Sequence, residues 1–143
     1  MKILIINGPN LNLLGERDET QYGNVTLSEI HDKLTEEFPG IDFEFFQSNL
    51  EGEIIEKIQN ARNSGFVGLV INPGGYSHTS VAIRDALELV DLPKIEVHLS
   101  NLAKREEFRR NSLTATACTG YISGFKEFGY LAAVYLIRKL QSK

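Results

Sequence analysis

The chain has 143 residues, of which 42% are hydrophobic and 24% charged, as in one ordinary globular domain. Its net charge of −4 argues against broad nucleic-acid binding, and no apolar run approaches the roughly 20 residues needed to cross a bilayer. Cys118 is the single cysteine, which excludes an intrachain disulfide and a thiolate metal cage.

The first predicted element is residues 3–6, a continuous apolar run rich in β-branched side chains. Such runs are typical of strands buried on both faces of a parallel sheet. The chain length predicts one domain over residues 1–143. The first run is too short for the core of a signal peptide, so we expect the protein to be cytoplasmic. Residues 7–23 then form a long connection, and loops of this length are often functional lids.

Helices and strands alternate along the rest of the chain. Further strands are predicted at residues 41–47, 67–71, 95–99 and 117–125. The first helix begins after Thr26, with Glu29 as its capping-box partner, and ends before Pro39. A second helix is predicted at residues 51–63, and a third begins after a cap at Ser77 or Thr79. The last helix is predicted at residues 128–140.

This order predicts an α/β fold, a flavodoxin-like doubly wound three-layer sandwich with a five-stranded parallel sheet in the order 2-1-3-4-5. Ligands of such sheets bind outside the carboxyl ends of the strands, near the first and third strands. The loops expected there carry the chain's unusual polar residues: Asn10, Arg17, Tyr22, Asn72, His78, Ser100, Arg105 and Arg109.

Residues 94–110 concentrate ionisable groups. Glu96 and His98 share one face of the predicted fourth strand, where the carboxylate can fix the imidazole tautomer and make it a proton donor. Arg105 and Arg109 follow, four residues apart on a predicted helical stretch, and both are candidate carboxylate ligands. A purely structural Glu96–His98 pair is the alternative.

Several other residues allow two interpretations. Arg17 and Tyr22 are either exposed loop residues, or Tyr22 is a base and Arg17 its cationic neighbour. His78 is either a capping or surface residue or a hydrogen-bond partner for a ligand hydroxyl. Asp85 is either in a solvated pair with Arg84 or in contact with another subunit. We expect His31 to lie on the surface and Cys118 in an apolar strand.

Several sequence motifs that mark a specific chemistry are absent. The chain has no G-x-G-x-x-G or P-loop lysine, no H-E-x-x-H and no G-x-S-x-G elbow. Nucleotide binding is therefore weakly supported, serine hydrolysis is disfavoured, and we predict no bound metal ion.

Three segments resemble a known family, the type II 3-dehydroquinate dehydratases or type II dehydroquinases. They are residues 6–11 (INGPNL) with Arg17 and Tyr22, residues 72–85 (NPGGYSHTSVAIRD), and residues 95–101 (IEVHLSN) with 105–110 (REEFRR). The resemblance implies a cofactor-independent lyase that removes water from 3-dehydroquinate through an enolate, giving 3-dehydroshikimate. That reaction serves the shikimate pathway or quinate breakdown.

The resemblance also implies a role for each site residue. Tyr22 resembles the base, Arg17 its activating neighbour, Asn10 the group that stabilises the enolate through a water, and His98 the acid oriented by Glu96. The substrate-binding set comprises Asn72, His78, Asp85, Leu99, Ser100, Arg105 and Arg109.

Family members assemble as homododecamers, tetramers of trimers, in which Asp85 would reach a neighbouring subunit's site. A flavodoxin-like module that binds a flavin or phosphate at the same sheet edge is the alternative function.

Overall fold

The computed structural model of the protein describes residues 1–142 and contains one five-stranded, all-parallel sheet. Its strands pair in the order β2-β1-β3-β4-β5, which confirms the predicted topology. The strand bounds are β1 Lys2–Asn7, β2 Asp42–Gln47, β3 Gly68–Asn72, β4 Lys94–His98 and β5 Gly120–Ser123.

Helices cover both faces of the sheet. They are α1 Glu19–Tyr22, α2 Leu27–Glu37, α3 Glu51–Ala61, α4 Val81–Glu88 and α5 Phe128–Gln141. The packed residues of α2 and α5 form a core on one face, and those of α3 and α4 form a second core on the other. The arrangement is the three-layer, doubly wound sandwich that the sequence predicts.

The alternation of side chains along β1 explains why two cores form. Ile3 and Ile5 belong to the α2–α5 core, and Leu4 and Ile6 belong to the α3–α4 core. All four are fully buried, because successive strand residues point to opposite faces and both faces are covered.

Local sequence signals account for the helix starts. The Thr26 hydroxyl accepts the amide N–H of Glu29 at 3.2 Å, so the predicted cap of α2 is confirmed. The expected cap of α4 at Ser77 or Thr79 is wrong. Ser80 caps that helix by accepting the Ile83 N–H at 2.9 Å, because a 3-10 turn, Gly74–His78, occupies the residues before it.

Three other expectations need correction. Arg105 and Arg109 do not share a helix, because Arg105 is extended between two 3-10 turns, Leu102–Lys104 and Glu107–Arg109. The fifth strand begins only at Gly120, after a 3-10 turn at Thr114–Ala117, so half-buried Cys118 precedes it. His31 is half-buried rather than exposed and stacks on Phe45 with ring centroids 3.8 Å apart.

None of the helices within residues 1–142 is both long enough and apolar enough to span a lipid bilayer.

Two loops meet closely at the carboxyl ends of β1 and β3. The Gly8 N–H donates to the Asn72 carbonyl at 2.7 Å. A Cβ atom on Gly8 would lie 2.5 Å from the Pro73 carbonyl oxygen, which belongs to backbone that cannot rotate away. Glycine is therefore required for this contact.

We predict that Gly8→Ala lowers the free energy of unfolding by about 1–3 kcal/mol, because the two loops must separate to admit the methyl group. Gly40→Ala is the matched control, since a Cβ there meets nothing within 4 Å, and it should change stability by less than about 0.5 kcal/mol. Urea unfolding followed by circular dichroism at equal protein concentration measures both. Equal midpoints for Gly8→Ala and Gly40→Ala would show that the loops are not in contact.

Candidate active site

A cavity of about 150 Å³ opens at the carboxyl ends of β1, β3 and β4, where the fold predicts a ligand site. Its lining contains every site residue predicted from the sequence except Glu96 and Asp85. Five further residues line the cavity that were not predicted from the sequence: Pro9, Leu11, Gly74, Gly75 and Leu102. These lie beside predicted residues in the same loops, and proximity was the only signal for them.

The two missing residues lie in different places. Glu96 is fully buried directly behind His98. Asp85 lies on α4 with its side chain 63% exposed, and it does not reach the cavity of its own chain.

The Glu96–His98 pair lies at the end of β4. Nε2 of His98 is 2.7 Å from Oε2 of Glu96, and both side chains are buried. An ionised carboxylate can only accept a hydrogen bond, so Nε2 carries a proton and Nδ1 is the ring nitrogen left for a ligand. The alternation of β4 thus places a carboxylate-backed imidazole at the cavity wall, as predicted.

The second histidine of the cavity is oriented by backbone. Nδ1 of His78 lies 3.0 Å from the carbonyl oxygen of Asn111, which can only accept, so Nδ1 donates. In the neutral ring, Nε2 of His78 is then an acceptor for a ligand hydroxyl. The two imidazole rings lie 6.2 Å apart between centroids.

Asn72 is held by a buried network that the sequence did not reveal. Its Nδ2 donates to the Tyr130 hydroxyl at 3.0 Å, and its Oδ1 accepts the Gly74 N–H at 3.1 Å. Tyr130 in turn donates to Oδ1 of Asn7 at 2.5 Å. Burial raises the pKa of Tyr130 well above its usual value, so the phenol stays protonated as this bond requires. The amide of Asn72 therefore has one fixed orientation.

The long connection after β1 folds over the cavity and brings a phenol and two guanidinium groups together. The Arg17 guanidinium carbon lies 3.7 Å from the Tyr22 ring centroid. Nη1 of Arg105 donates to the Tyr22 hydroxyl at 2.7 Å and to the Ser100 hydroxyl at 3.2 Å. Lys126 secures the connection by donating from Nζ to the Thr20 carbonyl at 2.7 Å.

The cavity is electropositive. Arg17, Arg105 and Arg109 line it, and within residues 1–142 no aspartate or glutamate does. The exposed carboxylate of Glu106 accepts from Nε of Arg109 at 2.9 Å, and that hydrogen bond holds the pKa of Glu106 below its usual value. Nε of Arg105 is buried without a hydrogen-bond partner and lies 3.5 Å from Glu106, so this carboxylate satisfies it poorly. An anionic ligand fits such a lining.

Residues 1–142 contain no cluster of three or more histidine, cysteine, aspartate or glutamate residues placed to hold a metal ion.

Cys118 lies near Glu96. Burial, and to a smaller extent the charge of Glu96, raises the pKa of the Cys118 thiol to about 12. A thiol with that pKa is neutral and a poor nucleophile.

A second cavity of about 380 Å³ lies between β5 and α5. It is mainly apolar and is lined by none of the predicted site residues.

Comparison with known proteins points to one family. The family model described as Dehydroquinase class II matches residues 1–138. The 3-dehydroquinate dehydratase of Aliarcobacter butzleri is 51% identical over 99% of this chain and 90% of its own length. That of Clostridium perfringens strain SM101 is 52% identical over 97% of each chain.

A solved structure agrees with these sequence relatives. The crystal structure of the type II dehydroquinase from Butyrivibrio crossotus superposes with a TM-score of 0.94 at 49% identity, covering 96% of this chain and 97% of that one. The resemblance stated from the sequence is confirmed: this chain belongs to the class II dehydroquinase family.

Proposed function

We propose that the protein is a hydro-lyase that dehydrates 3-dehydroquinate to 3-dehydroshikimate, a reaction of the shikimate pathway and of quinate breakdown. Membership of the family and the similarity to 3-dehydroquinate dehydratases of other bacteria support the activity. The observation that carries the mechanism is the composition of the cavity. A phenol bonded to a guanidinium lies in the same cavity as an imidazole backed by a carboxylate.

Tyr22 is the base in this mechanism. Its phenolate removes the proton from C2 of the substrate, and the electron pair of that bond forms an enolate with the neighbouring ketone. A phenol is an effective base only if its anion is stabilised. Arg105 donates a hydrogen bond to the Tyr22 oxygen, and Arg17 lies over the ring, so both cations favour the phenolate.

Asn10 stabilises the enolate oxygen through a bound water. Its backbone is left-handed, with φ of 70°, and its N–H donates to Oδ1 of Asn49 at 3.0 Å. This constraint holds the residue at the cavity rim. Polar groups placed in advance at the site of developing charge are usually a large part of catalysis.

His98 is the acid. As an imidazolium it donates the Nδ1 proton to the C1 hydroxyl of the substrate, the C1–O bond breaks, and water leaves as the C1=C2 double bond forms. Glu96 accepts the Nε2–H bond and so stabilises the imidazolium before transfer. After the reaction Tyr22 carries one more proton and His98 one fewer. A net transfer of one proton from Tyr22 to His98 returns the enzyme to its initial state.

The remaining lining residues bind the substrate. The backbone of Leu99 and the hydroxyl of Ser100 receive the carboxylate, Arg109 a ring hydroxyl, and Asn72 and His78 the other hydroxyl groups. Arg105 closes over the site. In the structure Arg105 already donates to both Tyr22 and Ser100, which supports this closing role.

The direct test is an absorbance assay. The product is a conjugated enone, so mixing purified protein with 3-dehydroquinate should raise the ultraviolet absorbance without added metal or cofactor. A chelator should leave the rate unchanged, because the proposed steps use only side chains. A flat trace with folded wild-type protein would refute the proposed activity.

Replacing the base or the acid should lower turnover more than binding. We expect Tyr22→Phe and His98→Ala each to reduce kcat by about 10²–10⁴-fold with a much smaller change in KM. Tyr135→Phe is the matched control, because Tyr135 is half exposed on α5, outside the cavity, and should keep wild-type kcat. Near-normal kcat in either site variant would remove that residue from its role.

Assembly is part of the proposal. We expect a homododecamer, a tetramer of trimers, in which Asp85 enters a neighbouring subunit's site and helps hold its arginine-bearing loop. The exposure of Asp85 on α4 is consistent with a contact outside its own chain. Light scattering should give twelve times the chain mass of 16.0 kDa.

Mixed assemblies test the shared site. Asp85→Asn and His98→Ala chains, each weakly active alone, should regain activity when unfolded together and refolded as hybrids. A His98-containing site then receives Asp85 from its neighbour. Two Asp85→Asn preparations refolded together are the control. Failure of the hybrids to exceed that control would show that Asp85 does not serve a neighbour.

A further inference from the structure

A segment before β5 contacts His78 and the buried Glu96 that bonds His98. It comprises residues 111–117 and is called the bridging segment below. The Asn111 carbonyl accepts from His78, and the Leu113 N–H donates to the Ser77 carbonyl at 2.7 Å, which ties the segment to the 3-10 turn bearing His78. The same segment supplies two hydroxyl groups to Glu96.

These hydroxyl groups complete the environment of the buried carboxylate. Ser112 donates to Oε2 of Glu96 at 2.7 Å, and Thr114 donates to Oε1. Thr114 and Glu96 are both fully buried. With the bond from Nε2 of His98, both carboxylate oxygens are occupied and Oε2 accepts twice.

A buried carboxylate is costly unless donors replace the water it loses. Hydrogen-bond donors to the carboxylate also favour its ionised form. Because both carboxylate oxygens accept bonds from the bridging segment, the group has a single orientation. The Ser112 hydroxyl is itself held, because it accepts the Ala115 N–H at 3.1 Å. The geometry therefore directs one oxygen of Glu96 at His98.

We propose that Thr114 and Ser112 are positioning residues that hold Glu96 ionised and oriented, and thereby set how readily His98 gives up its proton. The role rests on the proposed function of His98 as the acid. Neither hydroxyl lines the cavity, so both act through Glu96 and do not touch the substrate.

The direction of the effect follows from charge. Each hydroxyl donor withdraws charge from the carboxylate, and removing one leaves a more negative oxygen facing His98. That oxygen stabilises the imidazolium more strongly through the Nε2–H bond, so His98 gives up its Nδ1 proton less readily. The other ionisable groups around the pair are unchanged by the substitution: His78, Cys118, Tyr22, Arg17, Arg105 and Arg109.

Thr114→Val is the primary variant, because valine keeps the shape and removes the donor. We expect kcat for 3-dehydroquinate to fall about tenfold with KM little changed, and the alkaline limb of the kcat profile to move up by about one pH unit. Thr114→Ser, which restores a hydroxyl, should return both quantities toward wild type.

The control comes from the same segment. Thr116 accepts from Nε of Arg84 at 2.8 Å and donates to the Leu113 carbonyl at 2.6 Å, without reaching Glu96. Thr116→Val should leave the pH profile in place. An equal shift in Thr116→Val, or no recovery in Thr114→Ser, would assign the effect to packing and overturn the proposal.

A second readout needs no substrate. Diethyl pyrocarbonate modifies the neutral imidazole, and peptide mass spectrometry can follow His98 alone in the tryptic peptide of residues 95–104. The pH at which this reaction becomes half-maximal should rise by about one unit in Thr114→Val. If Thr114→Val does not fold, Ser112→Ala takes its place in both measurements.

The two proposals fail separately. Wild-type protein that forms no enone, while Thr114→Val still shifts the modification profile, refutes the dehydratase activity and retains the positioning role. Identical modification profiles for wild type and Thr114→Val overturn the positioning role, whatever the activity.

Discussion

The buried carboxylate of Glu96 is the constraint on which the rest of the site depends. A charge at the end of a central strand, with both sheet faces covered, is tolerated only when donors surround it. The protein meets that requirement with one imidazole and two hydroxyl groups. The bridging segment must therefore lie against β4 both to pack the core and to supply hydrogen-bond donors to the Glu96 carboxylate.

The second half of the site depends on charges near the surface. Tyr22 lies on the connection after β1, where it packs at the edge of the α2–α5 core and accepts a hydrogen bond from Arg105, while Lys126 bonds the nearby Thr20 carbonyl. Arg105 bonds Tyr22 and Ser100 at once, so it links the connection to the loop after β4. His98, the proposed acid, is thus built into the sheet, whereas Tyr22, the proposed base, is oriented by hydrogen bonds that can break and reform. This division suits a site that must admit a substrate and then exclude water.

Much of the fold was predictable because its signals are local or periodic. The continuous apolar strands indicated a sheet covered on both faces, and the Thr26 cap marked the start of α2 correctly. Predictions failed where neighbouring elements override local preference. Ser80 caps α4 in place of Ser77 or Thr79, because the residues after β3 form a 3-10 turn, Gly74–His78, that precedes the helix. Arg105 and Arg109 line one cavity without sharing a helix, since each of the two turns in that region is only three residues long.

The sequence by itself determined the strand order, the alternation that puts Glu96 and His98 on one face, and the family motifs that join distant loops into one site. The shared face of Glu96 and His98 follows from residue spacing, the strand order is the common one for a sheet of this class, and the joining of distant loops is what the family resemblance implies. The tertiary structure decided which groups support those residues: Tyr130 under Asn72, Asn111 behind His78, and Ser112 and Thr114 on Glu96. Serine, threonine and tyrosine are common and carry no motif in these positions. Their function comes from which buried polar group they face, and only the folded chain sets that pairing.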